Sequence, residues 1–216
     1  MDVTWLGHGC FRLRGKNAAV VTDPYPPTIG LRLPKQDAEV LTISHDHENH
    51  AYAQAVRDGA YEIKGPGEYE VAGVSVLGFP TFHDAEKGAK RGRNTVYLIE
   101  IDDVRICHLG DLGHALEDED AEKVSSCDVL LVPVGGRTAI NAVQAAEVVR
   151  QLEPRFVVPM HYAVPGLKKE LDGLDRFLKE MAVTASEPQP KLSVQSTSTS
   201  EWETKVVVLE PKAEPR

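Results

Sequence analysis

Cysteine is scarce in this chain, and its scarcity removes one way of holding a fold together. Cys10, Cys107 and Cys127 are the only three among 216 residues. They form no CxxC pair, and an odd number cannot all pair within one chain. Each lies beside apolar, strand-like sequence, so buried reduced thiols are expected. Basic charge is also in deficit. The 24 Lys and Arg stand against 33 Asp and Glu, for a formal net charge of −9 and a pI near 5.4. Affinity for phosphate backbones or anionic membranes needs clustered Lys and Arg, so neither a nucleic-acid nor a membrane partner is expected, although a local basic patch stays open. No uninterrupted apolar run approaches the roughly 20 residues of a membrane helix. The opening Met-Asp-Val-Thr-Trp has neither the basic n-region nor the apolar h-region of a secretory signal. A cytoplasmic location is therefore expected. No internal repeat is visible.

What is present is the composition of an ordinary globular protein, 42% hydrophobic and 26% charged, in a length that suits one domain over 1–216. The first half reads as short strands joined by turns. Val3–Leu6, Cys10–Arg14 and Ala18–Thr22 are separated by Gly7-His8-Gly9 and Gly15-Lys16-Asn17. After the Pro-rich loop Asp23–Pro27, a buried strand over Glu39–Ser44 stops at a histidine-rich turn. A short helix is expected over Ala51–Arg57, with Asn49 typed to cap its start. Strands follow over Tyr61–Lys64, Tyr69–Val71 and Val74–Phe79, then a hairpin pairing Asn94–Ile101 with Val104–Leu109 about Asp102-Asp103. The second half alternates: strand Val129–Pro133, amphipathic helix Asn141–Leu152, strand Arg155–Pro159, helix Glu170–Met181. Residues 184–200, rich in Ser, Thr and Pro, read as an exposed connection, and Lys205–Leu209 recovers strand character at a sheet edge. This order indicates a layered α/β sandwich.

The histidines carry the chemistry. Ser44-His45-Asp46-His47-Glu48-Asn49-His50 places three imidazoles within six residues at a strand end. Two at i and i+2, with a third three residues later, can converge on a borderline metal such as zinc, which takes imidazole nitrogen at about 2.0–2.1 Å. A solvated polar loop is the bland alternative. His83, Asp111 and His161 each follow a further strand. Singly, each reads as a capped loop residue or a satisfied core histidine; together they are polar groups at successive strand ends, where sites on layered folds form.

Taken in order, Thr4-Trp5-Leu6-Gly7-His8, Thr22-Asp23-Pro24, the His45–His50 cluster, Phe82-His83-Asp84, His108-Leu109-Gly110-Asp111 and Pro159-Met160-His161-Tyr162 resemble the metallo-β-lactamase superfamily. Within it they resemble the branch that includes the ascorbate-6-phosphate lactonases. The resemblance implies a four-layer αββα sandwich with metal at one edge of the sheets. By motif position it implies His45, His47 and His83 as ligands of a first metal, His50 and His161 as ligands of a second, and Asp111 as the bridging carboxylate. Zinc is the implied metal, in one or two ions, with manganese or iron as alternatives. One departure stands out. The family's motif is similar to His-x-His-x-Asp-His, and Asn49 occupies the aspartate position. A neutral amide oxygen is a weaker ligand than a carboxylate, so an intact first site and a weakened or empty second one are expected.

The expected function is metal-dependent hydrolysis, with metal-activated water attacking a small, anionic ester, lactone or phosphodiester. Lys87, Lys90, Arg91 and Arg93 in Glu86–Asn94 either bring positive charge to that substrate or form a solvated hairpin tip, and Arg137 has the same two readings. His114 is a candidate for substrate contact or proton transfer. His8 either orients ligands from behind or hydrogen-bonds within its own turn. Asp23 either accepts bonds from ligand histidines and backbone N–H groups or is only a turn residue before Pro24. The alternative is a metal-binding protein of the same fold with impaired hydrolysis and a binding or regulatory role. A nuclease and a di-iron redox protein are lesser readings, since no clamping or flavin-binding domain is attached. Oligomerisation is left open.

Overall fold

The computed structural model describes residues 1–125, 127–184, 187–197 and 202–215. In chain order the elements are β1 (Asp2–Gly7), β2 (Cys10–Arg14), β3 (Ala19–Thr22), β4 (Leu31–Arg32), β5 (Val40–Ile43), β6 (Tyr61–Lys64), β7 (Gly67–Val71), β8 (Val74–Phe82), β9 (Arg93–Ile101) and β10 (Val104–His108). There follow α1 (Asp118–Val124), β11 (Val129–Pro133), α2 (Ala142–Leu152), β12 (Phe156–Met160), α3 (Asp175–Glu180), β13 (Leu192–Ser193), β14 (Lys205–Val206) and β15 (Glu214–Pro215). One sheet runs β13-β1-β2-β3-β5-β6 and the other β14-β12-β11-β10-β9-β8-β7, with a small β15-β4 ribbon beside them.

The two mixed sheets face each other across a core that includes Trp5, Phe11, Leu13, Tyr97, Ile99 and Ile106. Strands covered on both faces read as continuous apolar runs: Val-Leu-Thr-Ile in β5 and Val-Leu-Leu-Val-Pro in β11 are buried throughout. Helices α1–α3 lie in the second half of the chain, where α2 touches β11 and both other helices. The first sheet has a separate outer cluster, with Leu6, Val21, Tyr25, Leu31, Leu41, Ile43 and Val56 packed under loops and short 3-10 turns. The architecture is the α/β sandwich expected.

Strand direction positions the site. β3 and β5 are parallel, as are β10, β11 and β12, and β8 runs with β10 because both are antiparallel to the β9 between them. The residues that follow β3, β5, β8, β10 and β12, from Asp23 to His161, therefore emerge where carboxyl ends of strands meet. Tyr97 on β9 links the sheets there. Its hydroxyl donates to Ile43 O at 2.8 Å and accepts from Gly65 N at 2.9 Å. Removing it by Tyr97→Phe leaves a buried carbonyl and an N–H short of a partner, at a cost of about 1–3 kcal/mol. The expected readout is a lower urea midpoint with an unchanged slope.

Several boundaries differ from expectation for local reasons. The helix expected over Ala51–Arg57 is one 3-10 turn, Ala53–Ala55, because the chain then extends to pair with Gln36 through the bonds from Gln36 N to Ala55 O and Arg57 N to Gln36 O. Asn49 caps nothing; its side chain turns to His8 instead. The helix expected over Glu170–Met181 is confined to α3, since the Asp172 backbone is committed to Gly135 O and Ala163 N. Helix α2 begins as anticipated, with Asn141 Oδ1 accepting from Val143 N and Gln144 N while Gln144 Oε1 accepts from Asn141 N. Helix α1 was not anticipated. Of its seven residues only Ala121 and Val124 are buried, too few for visible periodicity, and Asp118, Glu119 and Asp120 suit its N-terminus electrostatically. Within 184–200, Leu192–Ser193 pairs with β1, so part of the expected connection is sheet edge, while residues 185–186 and 198–200 lie outside the described residues. Lys205–Val206 joins β12 as expected. All three cysteines are free and buried. No helix among the described residues is long and apolar enough to cross a membrane.

Candidate metal centre

Asp111 follows β10 and is almost wholly buried, with imidazoles on every side. His83 Nε2 lies 3.3 Å, His50 Nε2 3.4 Å and His45 Nε2 4.0 Å from its Oδ2, and His161 Nε2 lies 3.3 Å from its Oδ1. The loop holding it is tied down by Asn94. That side chain accepts from Asp111 N at 3.0 Å and donates to Leu109 O at 3.0 Å and to Thr81 Oγ1 at 2.8 Å. Gly110 makes the turn at φ 58°, where a Cβ would meet Asn94 Oδ1 at 2.4 Å and Ser44 Cβ at 2.6 Å, so only glycine permits this close approach.

Asp23, after β3, organises two of the imidazoles. It accepts from Ser44 N at 2.8 Å through Oδ1, and from Ser44 Oγ at 2.5 Å and His50 Nδ1 at 3.0 Å through Oδ2. An ionised carboxylate only accepts. The Ser44 hydroxyl therefore spends its proton on Asp23 and accepts from His45 Nδ1, 2.8 Å away. With Nδ1 as the donor in both rings, His45 and His50 each present Nε2 as the atom free to bind metal. Neither Nε2 has a hydrogen-bond partner, and neither does Asp111 Oδ1. A buried polar atom left unpaired costs about 1–3 kcal/mol, so this concentration of acceptors fits a cation. Compact ligand-type groups are His45-His83-Asp111, Asp23-His45-His50 and His8-His50-His161, each with its ligand atoms within 4.8 Å of one another.

The electrostatics agree. Burial pushes the Asp111 carboxyl up, but His161 and His50 overcome it and hold the group well below the usual carboxylate range. Asp23 is likewise lowered, burial being outweighed by His50, His108 and His45. Burial drives His45 down to about 3, with His50 adding to the effect, so its imidazole is neutral at neutral pH. His50 is raised, because Asp111 and Asp23 together outweigh its burial.

Not every expected residue joins the cluster. His47 is exposed on the cleft wall, its ring 6.1 Å from that of His45, and it belongs to none of the compact groups. Asn49 is buried but points its Nδ2 at His8 Nε2, 2.9 Å away, with Oδ1 unpartnered. His114 lies apart from the cluster: Nδ1 donates to Ala115 O at 2.7 Å and Nε2 accepts from Phe82 N at 3.2 Å. Both ring nitrogens are bonded to backbone, and the ring lines a separate depression beside Phe82 and Glu117. His108 is a satisfied core histidine, donating from Nε2 to Gly9 O at 2.9 Å and accepting from Gly110 N at 3.2 Å.

A cleft of about 500 Å³ opens over His83, Asp111 and His161, and Lys90, Arg91 and Lys169 line its walls. The loop bearing Lys90 and Arg91 is built on Asp84, whose carboxylate accepts from the backbone N–H groups of Glu86, Gly88, Lys90 and Arg91. Those bonds outweigh the effect of burial and lower the Asp84 carboxyl to about 2. Lys87 faces elsewhere, toward the His114 depression. A second cleft of about 520 Å³ adjoins on the β5–β6 side, sharing His47 and Arg91 and adding Lys64 and Arg93. Lys169 lies in a loop with no motif of its own, so no sequence signal marks it.

Residues 2–161 match the family model described as the beta-lactamase superfamily domain. A UPF0173 protein of Pyrococcus abyssi is 30% identical over 200 residues, spanning 79% of this chain and 90% of that relative. A UPF0173 metal-dependent hydrolase of Thermococcus onnurineus is 31% identical over 191 residues, spanning 75% and 84%. Among solved structures, a Thermotoga maritima protein assigned as a Zn-dependent hydrolase of the metallo-β-lactamase superfamily is similar with a TM-score of 0.77 and 36% identity, over 97% of this chain and 99% of that one.

Proposed function

The chain belongs to the beta-lactamase superfamily, in its UPF0173 group, and from that premise we propose that it is a metal-dependent hydrolase of small anionic esters, lactones or phosphodiesters. The observation that carries this reading is the ionised, buried Asp111 carboxylate ringed by His45, His50, His83 and His161. When bound there, a divalent ion such as zinc supplies Lewis acidity and a water acidified towards a pKa of about 7. His45 and His83 with Asp111 would hold a first ion, and His47 would complete it from the cleft wall. His50 and His161 would hold a second, sharing Asp111.

The rest is done by the chain's own groups. Asp23 and Ser44 fix the tautomers of His50 and His45, so that ligand nitrogens face inward without rearrangement. Arg91 and Lys169, with Lys90 paired to Glu86, face a single wall carboxylate, Glu170, and leave positive charge in excess at the mouth of the cleft on a protein of net charge −9. That contrast selects a compact anion rather than a polyanion, which the overall charge repels. The adjoining cleft, with Arg91 shared, gives room for a substituent on the far side of the scissile bond. The buried free thiols suit a reducing cytoplasm.

Stripping the protein with a chelator and restoring zinc, manganese or iron in turn tests the reading against a panel of lactones, carboxylic esters and phosphodiesters, each anionic or neutral. Turnover should vanish on stripping and return with one of the metals, with anionic substrates preferred. Arg91→Ala should then raise KM for the anionic substrate about tenfold while leaving kcat near its original value, the pattern of lost uniform binding. Metal binding without turnover on any of the panel would favour the second reading, a metal-binding protein with impaired hydrolysis, to which the neutral Asn49 lends support.

A further inference from the structure

His8 occupies a place for which the proposed ligand set does not account. It is 1% exposed, and its Nδ1 has no hydrogen-bond partner. Its ring centroid lies 4.2 Å from that of His161 and 4.8 Å from that of His50. One nitrogen of each of these three rings lies within 4.8 Å of the others. Three imidazoles packed this closely in the interior gain little from one another; a shared cation gives them a common partner.

The backbone is built to hold His8 there. The residue adopts φ 52° in the turn between β1 and β2, a left-handed conformation uncommon outside glycine. Its neighbour Gly9 leaves room for His50, since a Cβ there would come within 3.1 Å of His50 Cε1. The His8 carbonyl accepts from Trp5 Nε1 at 2.9 Å and from His161 N at 3.2 Å, which ties the His8 turn to the His161 turn. His161 is itself left-handed at φ 54°. Two residues in uncommon backbone conformations, bonded to each other and presenting adjacent rings, indicate a constellation that the fold over-determines.

Asn49 explains why the constellation is needed. The motif that the chain resembles carries a carboxylate at this position, whereas Asn49 directs its amide to His8 Nε2. Because the amide nitrogen and oxygen can exchange places, the same contact can accept an N–H from His8 Nε2 and leave Nδ1 as the ligand atom. Resting on the metal-hydrolase reading above, the geometry points to His8 as a ligand of the second metal ion, which with His50, His161 and Asp111 replaces the carboxylate ligand that Asn49 does not provide. Asn49 then acts as a positioning residue for His8. The second site is complete, with a neutral ligand in place of a charged one, and is not weakened or empty as the motif alone implies.

The test is a zinc titration of the metal-stripped full-length protein by calorimetry, alongside long-range proton–nitrogen NMR of its histidine rings. The wild type should bind two equivalents, with His8 ring resonances moving only as the second is added. His8→Ala should keep the first equivalent and bind the second at least about 100-fold more weakly. Adding Asn49→Asp to His8→Ala should bring the second equivalent back. Two equivalents held by His8→Ala with wild-type affinity would overturn the assignment, as would wild-type His8 resonances that stay still through the titration. One equivalent in the wild type overturns it while leaving the hydrolase reading standing. No zinc bound by the wild type overturns both. The NMR measurement uses the unaltered chain, so it decides the matter even where His8→Ala does not fold.

Discussion

Asp111→Asn is expected to abolish turnover, lowering kcat/KM about a thousandfold or more, equivalent to roughly 4 kcal/mol of lost transition-state stabilisation. The change is nearly isosteric and leaves the backbone bond from residue 111 N to Asn94 Oδ1 intact. What it removes is the negative charge at the centre of His45, His50, His83 and His161. In the proposed site that carboxylate would serve both ions, so both would lose a charged ligand at once. Thermal unfolding separates this loss from misfolding. At a zinc concentration about 1,000 times its dissociation constant, the wild type should gain about 4 kcal/mol of stability over its metal-free form. Asp111→Asn should gain little. A variant that is stabilised by zinc as strongly as the wild type would sink the ligand role of Asp111, whatever its activity.

The sandwich was legible because its signals are local and repeated. β5 and β11 are largely apolar runs buried along their length, β2 sets Phe11 and Leu13 inside against Arg12 and Arg14, and Asp102-Asp103 marks a hairpin whose two central residues take φ 53° and 59°. His45, His50, His83, Asp111 and His161 stand out for a different reason: each is a polar residue in the segment that follows a strand, and strands running the same way bring such segments together. His114 sits near Asp111 in sequence but not in the cluster; the chain turns between them, and its ring nitrogens bond to Ala115 O and Phe82 N. The grouping of His8 with His50 and His161 depends on a contact across about 150 positions of chain, between the β1–β2 turn and the end of β12, which no spacing encodes. Lys169 was hidden in the same way. Its loop is drawn to the site by bonds such as Lys168 N to Ile29 O and Asp172 N to Gly135 O, and nothing in its own sequence marks it.

Asp23 should prove the most informative residue outside the ligand set, because its two substitutions separate stability from metal binding. It is fully buried and takes φ 38°, yet it accepts from Ser44 N, Ser44 Oγ and His50 Nδ1 at once. Asp23→Ala leaves all three donors without that acceptor in a dry interior. A loss of about 3–5 kcal/mol in the metal-free protein is expected, together with zinc affinity about 10–100-fold weaker as His45 and His50 lose their fixed tautomers. Asp23→Asn behaves differently. Its oxygen can still accept from Ser44 N, so most of the stability is retained. Its amide N–H, however, now faces His50 Nδ1, and the ring avoids that clash of donors by moving its own proton to Nε2. That proton then sits on the atom that should bind metal. Zinc affinity should therefore fall nearly as far in Asp23→Asn as in Asp23→Ala, while the urea midpoint of the metal-free protein moves much less. Equal effects on stability and affinity in both variants would mean that Asp23 only braces the loops. A loss of zinc affinity in Asp23→Asn without a matching loss of stability would identify tautomer control as its role, and would account for a carboxylate buried at this depth behind His50.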